Sequence, residues 1–203
     1  MVWLGRVSGF QVEFFAIMKD KTGSPVITVD WEAQFRAIFR KAVDRYKSGA
    51  HSADAMFQPD ELSFLASVGC SAQELFDFVE DRVRYTDVTE DLVVRIAAVR
   101  RNYFLSEQHG KASAVRVRMS DLPSKQAAVD GIEWLPRLIV KARAKLRGEM
   151  PPELMYGCAG DRPFAVRMNI DLAEFLRVVW DAGNRDASAI EYVKKQAARR
   201  RPA

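Results

Sequence analysis

Apolar positions recur with a helical period along most of the chain. In "DWEAQFRAIFRKAVDRYKSG", Trp31, Phe35, Ile38, Phe39, Ala42, Val43 and Tyr46 share one face. That spacing predicts an amphipathic helix with Asp30 as N-cap and Gly49 as its stop. "SAQELFDFVEDRVRY" opens with Ser71 and places Glu74 three positions on, a capping box. "TEDLVVRIAAVRRNYFLSEQ" sets Leu92, Val93, Ile96, Val99, Tyr103 and Phe104 at spacings of one, three and four. "LPRLIVKARAKLRG" aligns Leu135, Leu138, Ile139, Ala142 and Leu146, and "DLAEFLRVVWDAG" aligns Leu172, Phe175, Leu176, Val179 and Trp180 behind Asp171 as cap. A last helix is predicted over "DASAIEYVKKQAA". Strand signals are thin: "SPVITV", and "AVRVRM", where Val115, Val117 and Met119 alternate with Arg116 and Arg118. The expected fold is mainly α, two similar helical units packed together, with at most one short two-stranded β pairing.

The two halves echo one another. Lys41-Ala42 precedes Lys141-Ala142 by one hundred positions, and Glu74 precedes Glu174 by the same interval, "SAQELFDFV" against "DLAEFLRVV". Asp60 with Phe64 precedes its helix much as Asp161 with Phe164 does. Shared register over several features points to an internal duplication. The expected organisation is a leader over 1–25, a first helical unit over 26–110, a linker over 111–133, a second unit over 134–198 and a basic tail over 199–203. Met18 offers an alternative start.

Composition narrows the classes. Hydrophobic residues make up 48% and charged residues 29% of 203 positions, a globular balance. Apolar runs fall short of the roughly 20 residues that span a bilayer. The opening "MVWLGRVSGFQVEFFAIM" is broken by Gly5, Arg6, Ser8, Gln11 and Glu13 and offers no small-residue cleavage site, so it does not read as a signal peptide. Two cysteines, Cys70 and Cys158, make no disulfide framework, which favours a cytoplasmic setting. The net charge of +4 owes much to "KKQAARRRPA", which reads as a solvated end rather than a phosphate grip.

The second half carries a recognisable pattern: Leu135, Pro136 and Arg137, then Lys141 and Arg143 on the same helix, then Tyr156, Cys158 and Asp161, then Ile170 and Asp171. Over roughly 134–195 it resembles domain-of-unknown-function family 5069, small bacterial proteins. Family members usually place Gly before the Ile-Asp pair, where this chain has Asn169. The first half matches more loosely, keeping Gly69 but substituting Cys70-Ser71 for Ile-Asp and lacking Leu-Pro-Arg and Tyr-x-Cys. The resemblance brings no reaction, but it makes the second half the better place for a site.

Candidate chemistry follows from residue types. A nucleophilic Cys158 needs a nearby cation or His to lower its pKa, and Arg162, Arg137 or Lys141 could serve; the alternative is an inert packed thiol. Two Cys and two His, at 51, 70, 109 and 158, lack zinc spacing, and no Glu-x-x-His pair, phosphate loop or serine elbow occurs, so neither metal nor cofactor is expected. Arg137, Lys141 and Lys145, four apart, line one helical face and could hold a carboxylate or phosphate. The expected function is binding, and in an enzyme turnover, of a small anionic metabolite at the second unit. Arg137, Lys141 and Arg162 would bind it, and Asp161, Tyr156 and Cys158 would form the catalytic wall. The competing reading is a noncatalytic protein-interaction scaffold in which the same charges, through a bridge such as Arg137–Asp161, hold the structure. Basic residues beside aromatics in "VRRNYF" raise a nucleic-acid reading, but without a recognition motif neither nucleic acid nor membrane is an expected partner.

Overall fold

The structure is a computed structural model that describes residues 30–199 and the backbone of two short strands, β1 (Ala16–Lys19) and β2 (Pro25–Thr28). The strands pair antiparallel with Ile17 opposite Ile27, so "SPVITV" does contribute a strand. Most of the leader and of the basic tail lies outside the described residues.

The chain then runs through helices. Helix α1 (Trp31–Lys47) is capped by the Asp30 side chain, which accepts from the Glu32 amide. Phe35, Ile38, Phe39, Ala42 and Tyr46, all from the predicted face, are buried. A single turn, α2 (Ala53–Met56), leads to α3 (Pro59–Ser67) and α4 (Ala72–Arg84), the latter opened by the Ser71/Glu74 capping box read from sequence. Helix α5 (Glu90–Ser106) starts at its Thr89 cap. Helix α6 (Leu135–Arg147), α7 (Asp161–Met168), α8 (Leu172–Ala182) behind its Asp171 cap, and α9 (Asp186–Arg199) complete the second half.

The mainly helical class holds, with corrections of detail. "AVRVRM" is not a strand. With no strand beside it among the described residues, the segment is held to the second half by Val117, whose N–H donates to the Glu149 carbonyl at 2.9 Å. The second pairing lies instead at β3 (Ala128–Val129) and β4 (Ile132–Glu133), joined through Asp130 and Gly131, both at positive φ. Asp-Gly between two such residues is the turn chemistry a tight hairpin demands. It adds a minimal ladder beyond the single pairing suggested by sequence. Asp161, which closes the Tyr156-x-Cys158 pattern in the sequence, begins α7.

The order of elements repeats. In each half a long helix (α1, α6) is followed by a loop and a short helix (α3, α7). Next come a left-handed residue (Gly69 at φ 71°, Asn169 at φ 54°), a buried side chain (Cys70, Ile170) and a capped helix (α4, α8). Asn169 therefore occupies the left-handed position where the family's usual Gly sits without cost, and Asn is the side chain that tolerates it best. The buried side chains of both halves form one contiguous core, in which α5 packs on α6 and α8.

Candidate functional site

Helix α6 buries two of its five cations. Lys141 and Lys145 are 2% and 3% exposed. A charge taken so far from water must be matched by charge and hydrogen bonds, and each lysine is. The Lys141 ammonium donates to Asp161 Oδ2 at 2.5 Å and lies 3.2 Å from Cys158 Sγ. Lys145 donates to Glu74 Oε1 at 2.6 Å and sits over the Phe78 ring.

Asp161 is the hub. It is fully buried at the first position of α7. Oδ2 also accepts from the Gly157 amide at 2.8 Å, and Oδ1 accepts from Trp134 Nε1 at 3.0 Å. Trp134 reaches it from a left-handed residue just before α6, and its ring packs so closely on Gly160 that a Cβ there would stand 2.5 Å away. Both carboxylate oxygens are thus engaged by donors from three directions.

The other expected site residues disperse. The Tyr156 hydroxyl donates to the Leu172 carbonyl at 2.8 Å, and burial, with Asp161 nearby, holds its pKa well above the ordinary phenol value, so it stays protonated. Arg162 reaches toward the first half, donating to Asp81 at 2.5 Å and Asp87 at 2.8 Å, and back to the Gly157 carbonyl at 2.9 Å. Arg137 donates to the Pro123 carbonyl at 2.8 Å. The bridge to Asp161 comes from Lys141, one turn further along α6, and not from Arg137. The structure therefore brings together Lys141, Cys158 and Asp161, adds Trp134 and Gly157, and leaves Arg137 apart.

Two features of the first half complete the picture. Glu61, 6% exposed near the start of α3, pairs with Arg45 of α1 at 2.5 Å. Glu74 is pushed up by burial but pulled lower still by the Lys145 ammonium, so it is ionised. Among the described residues no group of three or more His, Cys, Asp or Glu side chains could hold a metal ion, and no helix is long and apolar enough to cross a membrane.

Fold and site together define a helical protein whose second half closes on a buried lysine–aspartate pair. Residues 119–203 match the model of a family described as Domain of unknown function (DUF5069). The match takes in the resemblance at 134–195 and extends it upstream through the β3–β4 hairpin. No curated protein and no solved structure matches the chain.

Proposed function

We propose that this protein is a noncatalytic module that acts by binding, built from two copies of one helical unit, in which the motif of the second half locks the fold. The observation that carries this reading is the recurrence of the lock. Arg45–Glu61 in the first half and Lys141–Asp161 in the second each tie the long helix of a unit to the first turn of its short helix. The first half has no Tyr-x-Cys motif, yet it keeps the pair. A feature shared by both copies belongs to the unit's architecture.

The chemistry agrees. A general acid or base needs a free, titratable group within reach of substrate. Asp161 has no free oxygen, and the Tyr156 phenol is committed to a carbonyl. A reducing compartment such as the cytoplasm suits two unpaired cysteines.

A double-mutant cycle tests the reading. Lys141→Met and Asp161→Asn should each destabilise by about 3–5 kcal/mol, because one buried partner is left unmatched. The double variant should recover at least about 1 kcal/mol of the summed loss. Lys141→Met that keeps wild-type stability while abolishing a ligand-induced thermal shift would place a binding site there and sink the proposal.

A further inference from the structure

Four cations are buried among the described residues: Arg100, Lys141, Lys145 and Arg162. Three of them are ion-paired. Arg100, 3% exposed, makes no ion pair among the described residues. Its Nη1 donates to the Gln108 side chain at 2.9 Å, its guanidinium lies over the Phe104 ring, and its Nε has no partner at all. A buried guanidinium with five donors, one hydrogen bond and no ion pair is an incompletely matched charge. Burial accordingly pulls its pKa below the ordinary arginine value, opposed only in part by Glu74.

Arg100 lines a cavity of about 230 Å³ at the seam between the halves. One wall is apolar: Ala66, Phe104, Ala112 and Met150. Ala66, Ala112 and Arg116 are exposed, so the cavity opens to solvent past them. The start of α4 contributes Ser71 and Glu74, and the Glu74 charge is already matched by Lys145. The Cys70 thiol, pushed up to about 12 by burial, is a neutral part of the lining. Gly148 leaves room for the guanidinium, since a Cβ there would stand 2.5 Å from Arg100 Nη2.

We infer that this cavity binds a small carboxylate with an apolar body, its carboxylate on Arg100 and its body against Phe104, Ala66 and Met150. A planar carboxylate suits the forked donors of one guanidinium. A phosphate dianion suits the cavity poorly: among the described residues the one other cation lining it, Arg116, is exposed and tied to the Ser113 and Val115 carbonyls, so a single guanidinium would face two negative charges. Since a cavity of about 150 Å³ holds benzene, this one holds roughly nine non-hydrogen atoms, the size of benzoate. The site is separate from the lysine–aspartate lock and stands or falls independently of it.

Calorimetric titration of the full chain with benzoate tests the inference, with benzamide as neutral isostere and inorganic phosphate as competing anion. Saturable benzoate binding is expected, with benzamide at least tenfold weaker on the order expected for loss of a charge-assisted bond. Arg100→Gln should weaken benzoate binding about thirtyfold or more. Ala66→Trp, an exposed change at the rim that leaves the core untouched, should weaken it about tenfold or more by filling the mouth, and decides the matter if Arg100→Gln does not fold. Arg137→Ala should bind as wild type. No saturable benzoate binding, binding unchanged in Ala66→Trp or in a folded Arg100→Gln, or phosphate binding as tightly as benzoate would each overturn the inference.

Discussion

Glu61 and Asp161 stand one hundred positions apart and do the same work: each is a buried carboxylate in the first turn of a short helix, paired with a cation from the long helix before it. The surroundings differ. Glu61 also accepts from the Gln58 amide as part of a capping box, and its partner Arg45 is partly exposed. Asp161 and Lys141 are sealed, with Trp134 and Gly157 supplying further donors. The second pair is therefore the costlier to break, since no water can replace a lost partner. What distinguishes the family's half is a deeper version of a tie both halves use.

The left-handed residue after each short helix sets how the next helix leaves. At Gly69 an added Cβ would stand 2.6 Å from the Phe104 ring, whereas at Gly110, with nearly the same φ of 72°, it would meet nothing within 4 Å. Gly110→Ala should cost about 1–2 kcal/mol, the left-handed strain alone. Gly69→Ala adds a clash in a packed core and should cost about 1–3 kcal/mol more. Urea denaturation of both variants separates strain from packing.

Much of the helical frame was legible because periodicity and capping are local. The face of α1, the Ser71/Glu74 box and the Asp171 cap all appear as read. Helices α3 and α7 were not, because nine and eight residues make only about two to two and a half turns and each begins amid turn-forming residues. Nor was the burial of Lys141 and Lys145. Lysine ordinarily marks a surface, and the carboxylate that pulls Lys145 inward lies 71 positions earlier in the chain. Arg100 did leave a signal. It falls at the core spacing with Val93, Ala97 and Phe104, a cation inside an apolar stripe, although "VRRNYF" reads first as basic residues beside aromatics.

Arg162 joins the halves. It is 5% exposed and bridges Asp81 on α4 and Asp87 in the loop before α5, while holding the Gly157 carbonyl. Arg162→Lys keeps the charge but cannot span all three acceptors, and should lose about 1–2 kcal/mol. Arg162→Ala leaves the half-buried Asp81 unmatched and should lose about 3 kcal/mol or more. Thermal unfolding of the two variants should rank them in that order; equal losses would mean that the three-way span of the guanidinium, and not its charge, is what matters there.

The two thiols should separate by reactivity. Cys70 is buried, and its pKa stands near 12, driven first by burial and then by the Glu74 carboxylate. Because the thiolate is the nucleophile, Cys70 should resist iodoacetamide at pH 8 in the folded protein and react once the chain is unfolded in guanidinium. Peptide mass mapping reads the result. Rapid native alkylation at Cys70 would mean that its thiol ionises in the folded protein more readily than its burial allows.

Asp77 gives the fold a pH dependence of unusual sign for a carboxylate. It lies on α4 beside Glu74 and accepts from the Gln73 amide at 2.7 Å, without an ion pair among the described residues. Burial pushes its pKa up to about 6, above the value near 4 of an unfolded aspartate. The folded state therefore holds the proton more tightly. Asp77 supports the fold fully below about pH 4, and that support is lost as pH rises through 6; because Asp77 is only partly buried, solvent screening leaves about 1–2 kcal/mol across the window. Asp77→Asn keeps the oxygen that Gln73 uses and removes the charge. Relative to wild type it should gain stability between pH 4 and 7 and be the more stable protein at neutral pH. Chemical denaturation of both at pH 4, 5, 6 and 7 follows the difference; a constant offset would mean that Asp77 titrates in the native protein as it does in water.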